Sequence, residues 1–469
     1  MSARVGIASV GAYVPRYRLT GPLLAQVWGG LAAGERAVAN YDEDALTMAC
    51  EAVLAALADR DRAPIGACFL ASTSAPYVEK SSATLLATVA DLGAAVVTAD
   101  LGGSLRCGTT ALRLALDSVR AGSVRQALVA ASDMRPTAPG GELEPLLGDG
   151  AAAALVAGDG LLATFEGAHT VSHEFTDVWR NEGERYVQML PDLTFVKSQG
   201  LDRHIPEAID GLLRASGRKK EDIAKVVLYA PDARLHAALL RQLRFPDAAT
   251  PAETVIGRTG NTGAASCLLG LAAALEEARP RDQILVVSYG NGAEALLFEA
   301  TDAVAACRPA RSVASQLAAG KAIAEYGRYL QFRRHVETEV LRSFSSVPTM
   351  VREERQNFRL YGQKCEACGA VSYPRRHLCW RCSSDRLGDH RIARRGRVFT
   401  FTRDHLVPTP DPPTVMVAAD LEGGGRFYAQ LTDADPDTVA IDMRVELTFR
   451  RLHEGEGYVN YFWKFRPAS

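Results

Sequence analysis

A chain of 469 residues is too long for one hydrophobic core, and two to four domains are the natural expectation. Hydrophobic residues make up 47% and charged residues 23%, an ordinary globular composition, and the formal net charge of −2 gives no global pull toward nucleic acid or an anionic membrane. No apolar run approaches the roughly 18 residues of a membrane-spanning helix, so no membrane association is expected.

Residues 1–19 alternate apolar positions around Gly6, Gly11 and Pro15, which reads as a first strand and turn, not a secretory segment. Residues 44–58 place Ala45, Met48, Ala49, Ala52, Val53 and Ala56 on one helical stripe. The runs 67–71, 94–97, 127–130, 226–229 and 284–287 are apolar at every position, as strands covered by helices on both faces require. Residues 108–132 read as a small-residue turn, an Ala/Leu helix, a break and a strand, and residues 263–288 repeat that order about 155 residues later. Each copy then ends in a Gly-rich turn and a strand, Gly148-Asp-Gly-Ala-Ala in the first and Gly290-Asn-Gly-Ala-Glu in the second. A duplicated α/β unit of this size predicts two similar halves about a pseudo-twofold, at 1–165 and 166–305. The scattered Cys50, Cys68, Cys107, Cys267 and Cys307 read as reduced thiols of a cytoplasmic protein.

Residues 306–350 turn polar and helix-like, and read as a linker. From 351 to 400 there are 12 Lys/Arg against 5 Asp/Glu, a local excess of 12 − 5 = +7. Within that stretch stand Cys365-Glu-Ala-Cys368 and, after ten residues, Cys379-Trp-Arg-Cys382. Two CxxC knuckles in turn-like sequence place four thiolates around one structural zinc, so 351–392 reads as a zinc ribbon with a leading helix. Residues 393–469 hold five short β runs split by turns, which fits a small barrel such as the OB-fold. Ribbons and OB-folds also bind nucleic acid, but Phe399, Phe401, Tyr428 and Tyr461 fit core positions of a small barrel, and no nucleic-acid partner is expected.

Val5-Gly-Ile-Ala-Ser-Val-Gly-Ala-Tyr-Val-Pro, Ala71-Ser-Thr-Ser-Ala-Pro-Tyr, Asp177-Val-Trp-Arg, Gly260-Asn-Thr-Gly-Ala-Ala-Ser and Ser288-Tyr-Gly-Asn-Gly-Ala resemble the thiolase superfamily, and within it the archaeal-type hydroxymethylglutaryl-CoA synthases. The four ribbon cysteines, Tyr373-Pro-Arg-Arg and Phe465-Arg-Pro resemble the rubredoxin-like ribbon plus OB-fold module that accompanies thiolases. The resemblance implies a duplicated α/β thiolase fold, a CoA thioester as substrate, and a homodimer or a heteromer with another thiolase-like chain. It also implies a nucleophilic cysteine, a glutamate and a histidine, and this chain departs at all three. The cysteine position falls on Leu105, with Cys107 two residues on and, if helical, turned about 200° away. The glutamate falls on Thr73, and the histidine near Tyr229-Ala230-Pro231, with His236 close by in sequence.

Asn261 remains, where the family uses it to hold an acyl carbonyl; an amide there serves a thioester oxygen or a developing oxyanion, although a helix cap fits equally. The backbone of Gly290, Asn291 and Gly292 is a candidate for substrate binding, or a tight strand turn. Cys107, Asp149, Asp133 and His236 complete the candidates. This set fits carbon–carbon bond formation or cleavage next to a CoA thioester by an aldol-type route that needs a base and an oxyanion hole but no acyl-enzyme. The alternative is a non-catalytic CoA-binding scaffold for a separate active thiolase.

Overall fold

The computed structural model describes residues 4–30, 34–58, 60–246, 249, 255–307, 309–337 and 344–468, so positions 338–343 of the expected linker lie outside the described residues. The chain divides into two units, 1–39 with 44–329 and 40–43 with 330–469. Among the described residues no helix is long and apolar enough to cross a membrane.

The first unit opens with β1 (Gly6–Tyr13), β2 (Tyr17–Thr20), α1 (Gly21–Trp28), β3 (Glu35–Val38), α2 (Ala45–Ala56), β4 (Ile65–Ala71), α3 (Ser82–Val89) and β5 (Val97–Leu101). There follow α4 (Cys107–Arg120), β6 (Gln126–Met134), β7 (Asp149–Ala157), β8 (Ala163–Ser172), the short pair β9 (Val178–Trp179) and β10 (Gln188–Met189), and α5 (Leu193–Phe195). A π-helical turn (Val196–Leu201) leads into α6 (Asp202–Ser216). The rest is β11 (Ile223–Leu228), α7 (Ala233–Leu243), α8 (Val255–Thr259), α9 (Ser266–Glu277), β12 (Gln283–Tyr289), β13 (Gly292–Ala300), α10 (Val313–Ala318), β14 (Lys321–Ala322) and α11 (Tyr326–Phe332). The expected linker is partly built in here, because β14 pairs in parallel with β2.

Nine strands form one sheet in the order β11-β12-β13-β8-β1-β7-β6-β4-β5. The duplication is visible in that order. In the first half β1·β7 and β7·β6 are antiparallel and β6·β4 is parallel. In the second, β8·β13 and β13·β12 are antiparallel and β12·β11 is parallel. The halves meet at the antiparallel pair β1·β8. The first half carries an extra edge strand, β5, parallel to β4. Its position explains a shifted boundary: residues 94–96 precede the strand, and Val97 is exposed at the sheet edge, so alternation and not a continuous apolar run marks it. Helix α2 is buried along nearly all its length and starts at a capping box between Asp44 and Thr47. The α4 helix and the turn that opens α9 cross so closely that a Cβ on Gly108 would lie 2.2 Å from the Ala264 carbonyl oxygen. Only a residue without a side chain fits there.

In the second unit, α12 (Val347–Arg352) and α13 (Glu354–Asn357) lead into the ribbon strands β15 (Tyr361–Cys365), β16 (Val371–Ser372) and β17 (Leu387–Arg391), ordered β16-β15-β17. Then β18 (Arg395–Asp404), β19 (Thr414–Leu421), β20 (Arg426–Leu431), β21 (Arg444–Gly455) and β22 (Tyr458–Pro467) close a five-stranded barrel. Its interior is filled by Val417, Phe427, Val445, Leu447, Phe449, Trp463 and Phe465, all buried.

Candidate active site

The parallel strands of each half end in the same direction, and the chemistry-bearing residues collect at those ends, as in other open α/β sheets. In the first half the centre is Asp133, near the end of β6 and fully buried. One carboxylate oxygen accepts from Ser72 Oγ at 3.0 Å, Thr73 N–H at 2.7 Å and Ser74 Oγ at 2.8 Å. The other accepts from Thr73 Oγ1 at 2.9 Å and from the Ala264 N–H at 2.8 Å. Five donors saturate the group, so it holds the site's frame and has no lone pair to spare for a substrate proton. Thr73 is part of the same lock.

In the second half the strand ends carry aromatic residues. Tyr229 follows β11 and Tyr289 ends β12; both are buried, and their rings stack with centroids 6.0 Å apart and an interplanar angle of 21°. Asn261, in the turn before α9, donates from Nδ2 to the Tyr229 phenol oxygen at 2.9 Å. The same amide nitrogen lies 3.4 and 3.3 Å from the carbonyl oxygens of Ala230 and Pro231, and its Oδ1 accepts from Gly263 N–H at 2.9 Å and Arg135 Nη1 at 3.4 Å. The amide is therefore engaged with the phenol, not left open. Having accepted an N–H, the Tyr229 oxygen directs its own O–H elsewhere. The Tyr289 Oη is buried without a hydrogen-bond partner, a state that costs about 1–3 kcal/mol.

Asp177, before β9, is buried beside this group. Burial raises its carboxyl above the ordinary range, against the pull of the Val178 N–H at 2.9 Å and of the Arg135 guanidinium. Burial likewise pushes both phenols upward, and the Asp177 charge adds to each. A space of about 770 Å³, including its open mouth, runs along the outer edge of β11 and reaches Tyr229, Gly260 and Thr262. Tyr229 and Asp177 entered the sequence reading only inside matching stretches.

The remaining sequence candidates are placed as follows. Cys107 is the first residue of α4 and is buried, as is Leu105. Burial first, and the Asp133 charge second, push its thiol above the ordinary range, opposite to what a nucleophile needs. Asp149 is fully buried and accepts from the backbone N–H of Ala39 at 2.7 Å and of Arg135 at 3.0 Å. His236 is buried on α7; burial lowers its pKa to about 4, against a hydrogen bond to the Leu228 backbone. Gly290 packs against the chain entering α4, where a Cβ would meet Ser104 Oγ at 2.7 Å, and its carbonyl accepts from that hydroxyl at 3.1 Å. Asn291 is held at φ 50° and Gly292 at φ 108°, so Gly290 to Gly292 form a tight turn that fixes Tyr289 against α4.

In the second unit the four ribbon cysteines converge. Cys365 and Cys382 Sγ are 3.7 Å apart, Cys368 and Cys379 Sγ 3.6 Å, and all four sulfurs lie within 4.8 Å of one another. A disulfide requires about 2.05 Å, whereas a tetrahedron of thiolates about 2.3 Å from zinc has edges of roughly 3.8 Å. The donor set fits zinc, with no open coordination position.

The family described as the ChsH2 rubredoxin-like zinc ribbon domain matches residues 352–388, and that described as the ChsH2 C-terminal OB-fold domain matches 389–450. The 3-oxoacyl-[acyl-carrier-protein] synthase III C-terminal family matches 213–298. Over 348 residues the chain is 32% identical to the hydroxymethylglutaryl-CoA synthase of Methanopyrus kandleri, covering 72% of this chain and 99% of that one. A solved HMG-CoA synthase complexed with CoA is similar with a TM-score of 0.63 at 19% identity, over 74% of this chain and 96% of that one. A second structure, MvaS in complex with 3-hydroxy-3-methylglutaryl coenzyme A, is similar with a TM-score of 0.60 at 21% identity, over 74% and 95%.

The ribbon carries a direct prediction. Metal analysis of the purified chain finds about one zinc per chain. Cys379→Ser loses that zinc and unfolds the ribbon, read as protease cleavage within residues 351–392. A variant with full zinc and an intact ribbon would contradict the site.

Proposed function

The chain belongs to the hydroxymethylglutaryl-CoA synthase family, and from that premise we propose that it forms or cleaves a carbon–carbon bond next to a CoA thioester without an acyl-enzyme intermediate. The observation that carries the proposal is the hydrogen bond from Asn261 to the Tyr229 phenol. An N–H given to a phenol oxygen makes its O–H a better donor, and that O–H is the group offered to the thioester oxygen. In the bond-forming direction a base takes the proton next to the thioester carbonyl. The C–H electron pair becomes the enolate double bond and the carbonyl oxygen takes the charge, stabilised by the phenol. The enolate carbon then attacks a second carbonyl, whose oxygen collects a proton; cleavage is the reverse. Asp177 is the base in this reading, because its buried carboxyl binds a proton more tightly than an exposed one. Asn261 is a positioning residue acting through Tyr229. The zinc has no step and serves the second unit's fold.

The scaffold reading is favoured by one observation, the closed lock of Thr73 and Asp133 where the family's glutamate would act. Enolate chemistry separates the two readings. We place the protein in the cytoplasm and pair it through the edge of β5, where Val97 is 58% exposed, extending the sheet into a second copy or a thiolase-like partner.

Three outcomes are expected. In D₂O the wild-type chain incorporates deuterium into the methyl group of acetyl-CoA, read by NMR. Asn261→Ala slows this on the order of 10²-fold; Cys107→Ala retains it, and mass spectrometry finds no acyl adduct on the Cys107 peptide. Exchange dependent on Cys107 and indifferent to Asn261 would overturn the mechanism. Second, the exchange rate climbs with pH through the raised Asp177 value, above the ordinary carboxylate value near 3.9, because only the carboxylate takes the proton. Asp177→Asn removes that limb; an unchanged profile speaks against Asp177 as base. Third, light scattering of the isolated chain reports a dimer and Val97→Lys a monomer; a wild-type monomer that captures no thiolase-like chain contradicts the pairing.

A further inference from the structure

We propose that Tyr289 is a catalytic residue of this site, its phenol O–H kept without an internal partner so that it donates to the oxygen of the bound CoA thioester. The inference rests on the reading of the site as an enolate-forming one. The chain builds a position for this phenol and then leaves it unsatisfied. Tyr289 is fully buried at the end of β12, and its Oη has no hydrogen-bond partner. Buried hydroxyls are rarely left so, and an exception calls for a specific explanation. The ring stacks with two others, Tyr229 at 6.0 Å and 21° and His204 at 6.2 Å and 22°. Its tip is given room by the absence of a side chain: a Cβ on Gly200 would lie 2.3 Å from the Oη. Gly200 stands in the π-helical turn that precedes α6, a local irregularity that often marks a functional position.

The ring-to-ring stack brings a second phenol alongside Tyr229, which already spends its oxygen on Asn261. Two phenol donors converging on one oxygen would make a complete oxyanion hole without a backbone N–H. The Nδ1 of buried His204, whose ring stacks on Tyr289, is also without a hydrogen-bond partner.

The test is Tyr289→Phe in the full-length chain, which removes one oxygen and keeps the ring. Three readings are taken on wild type and variant: the urea midpoint, CoA affinity by calorimetry, and deuterium incorporation into acetyl-CoA. The expected result is an unchanged or higher midpoint, unchanged CoA affinity, and exchange slowed by 10²-fold or more. The opposite signs of the two effects distinguish a substrate donor from a structural hydroxyl. A lower midpoint would show that the hydroxyl has a partner in the fold and would overturn the proposal. Exchange equal to wild type would overturn it as well, while leaving the enolate reading intact. A wild type that binds CoA but exchanges no deuterium would sink both.

Discussion

One buried carboxylate holds the two halves of the first unit in register. Asp133 stands on β6, yet it ties down the Ser72–Thr73–Ser74 turn after β4 and, from the other half, the Ala264 N–H in the turn before α9. Its bonds are charge-assisted, of a class worth about 1.5–3 kcal/mol each when taken singly. The close crossing at Gly108 and Ala264 lies in the same place. The strand β12, which ends in Tyr289, follows in the chain from α9, the helix that this junction opens.

The duplication has placed two different chemistries at equivalent strand ends. The first half uses them for a polar lock, in which serine and threonine hydroxyls and backbone N–H groups are consumed by Asp133. The second half places Tyr229, Tyr289 and Asn261 there, with a donor surplus. Next to that lock, at the start of α4, the Cys107 thiol is raised in pKa first by burial and second by the Asp133 charge. The carboxylate that fixes the frame thus adds to the cost that burial already sets on a thiolate at Cys107. The second unit uses the opposite tactic with charge. Arg450, fully buried, meets Asp42 at 3.3 Å and Asp433 at 2.6 Å, and Lys464 meets Asp42 at 2.9 Å. Paired in this way the charges tolerate burial, and any one of them left alone would not.

The zinc site was legible because cysteine identity and spacing are themselves the ligand geometry. The sheet was legible because its inner strands are apolar at every position, and the edge strand β5 was read imprecisely for the same reason, since one flank meets solvent. The duplicated halves were visible as a repeat of turn, helix and strand. The phenols were not visible. In sequence a buried tyrosine at a strand end is indistinguishable from a core aromatic, and only the missing partner of the Tyr289 hydroxyl separates the two. His236, close in sequence to the family's histidine position, is buried on α7, where burial keeps it neutral.

The most direct measurement is a crystal structure of the chain with acetyl-CoA bound. The account predicts the thioester oxygen at about 2.7–3.1 Å from the phenol oxygens of Tyr229 and Tyr289, the Asn261 amide still on Tyr229, and the Cys107 sulfur untouched. Acyl density continuous with Cys107 Sγ, or a thioester remote from both phenols, would contradict it.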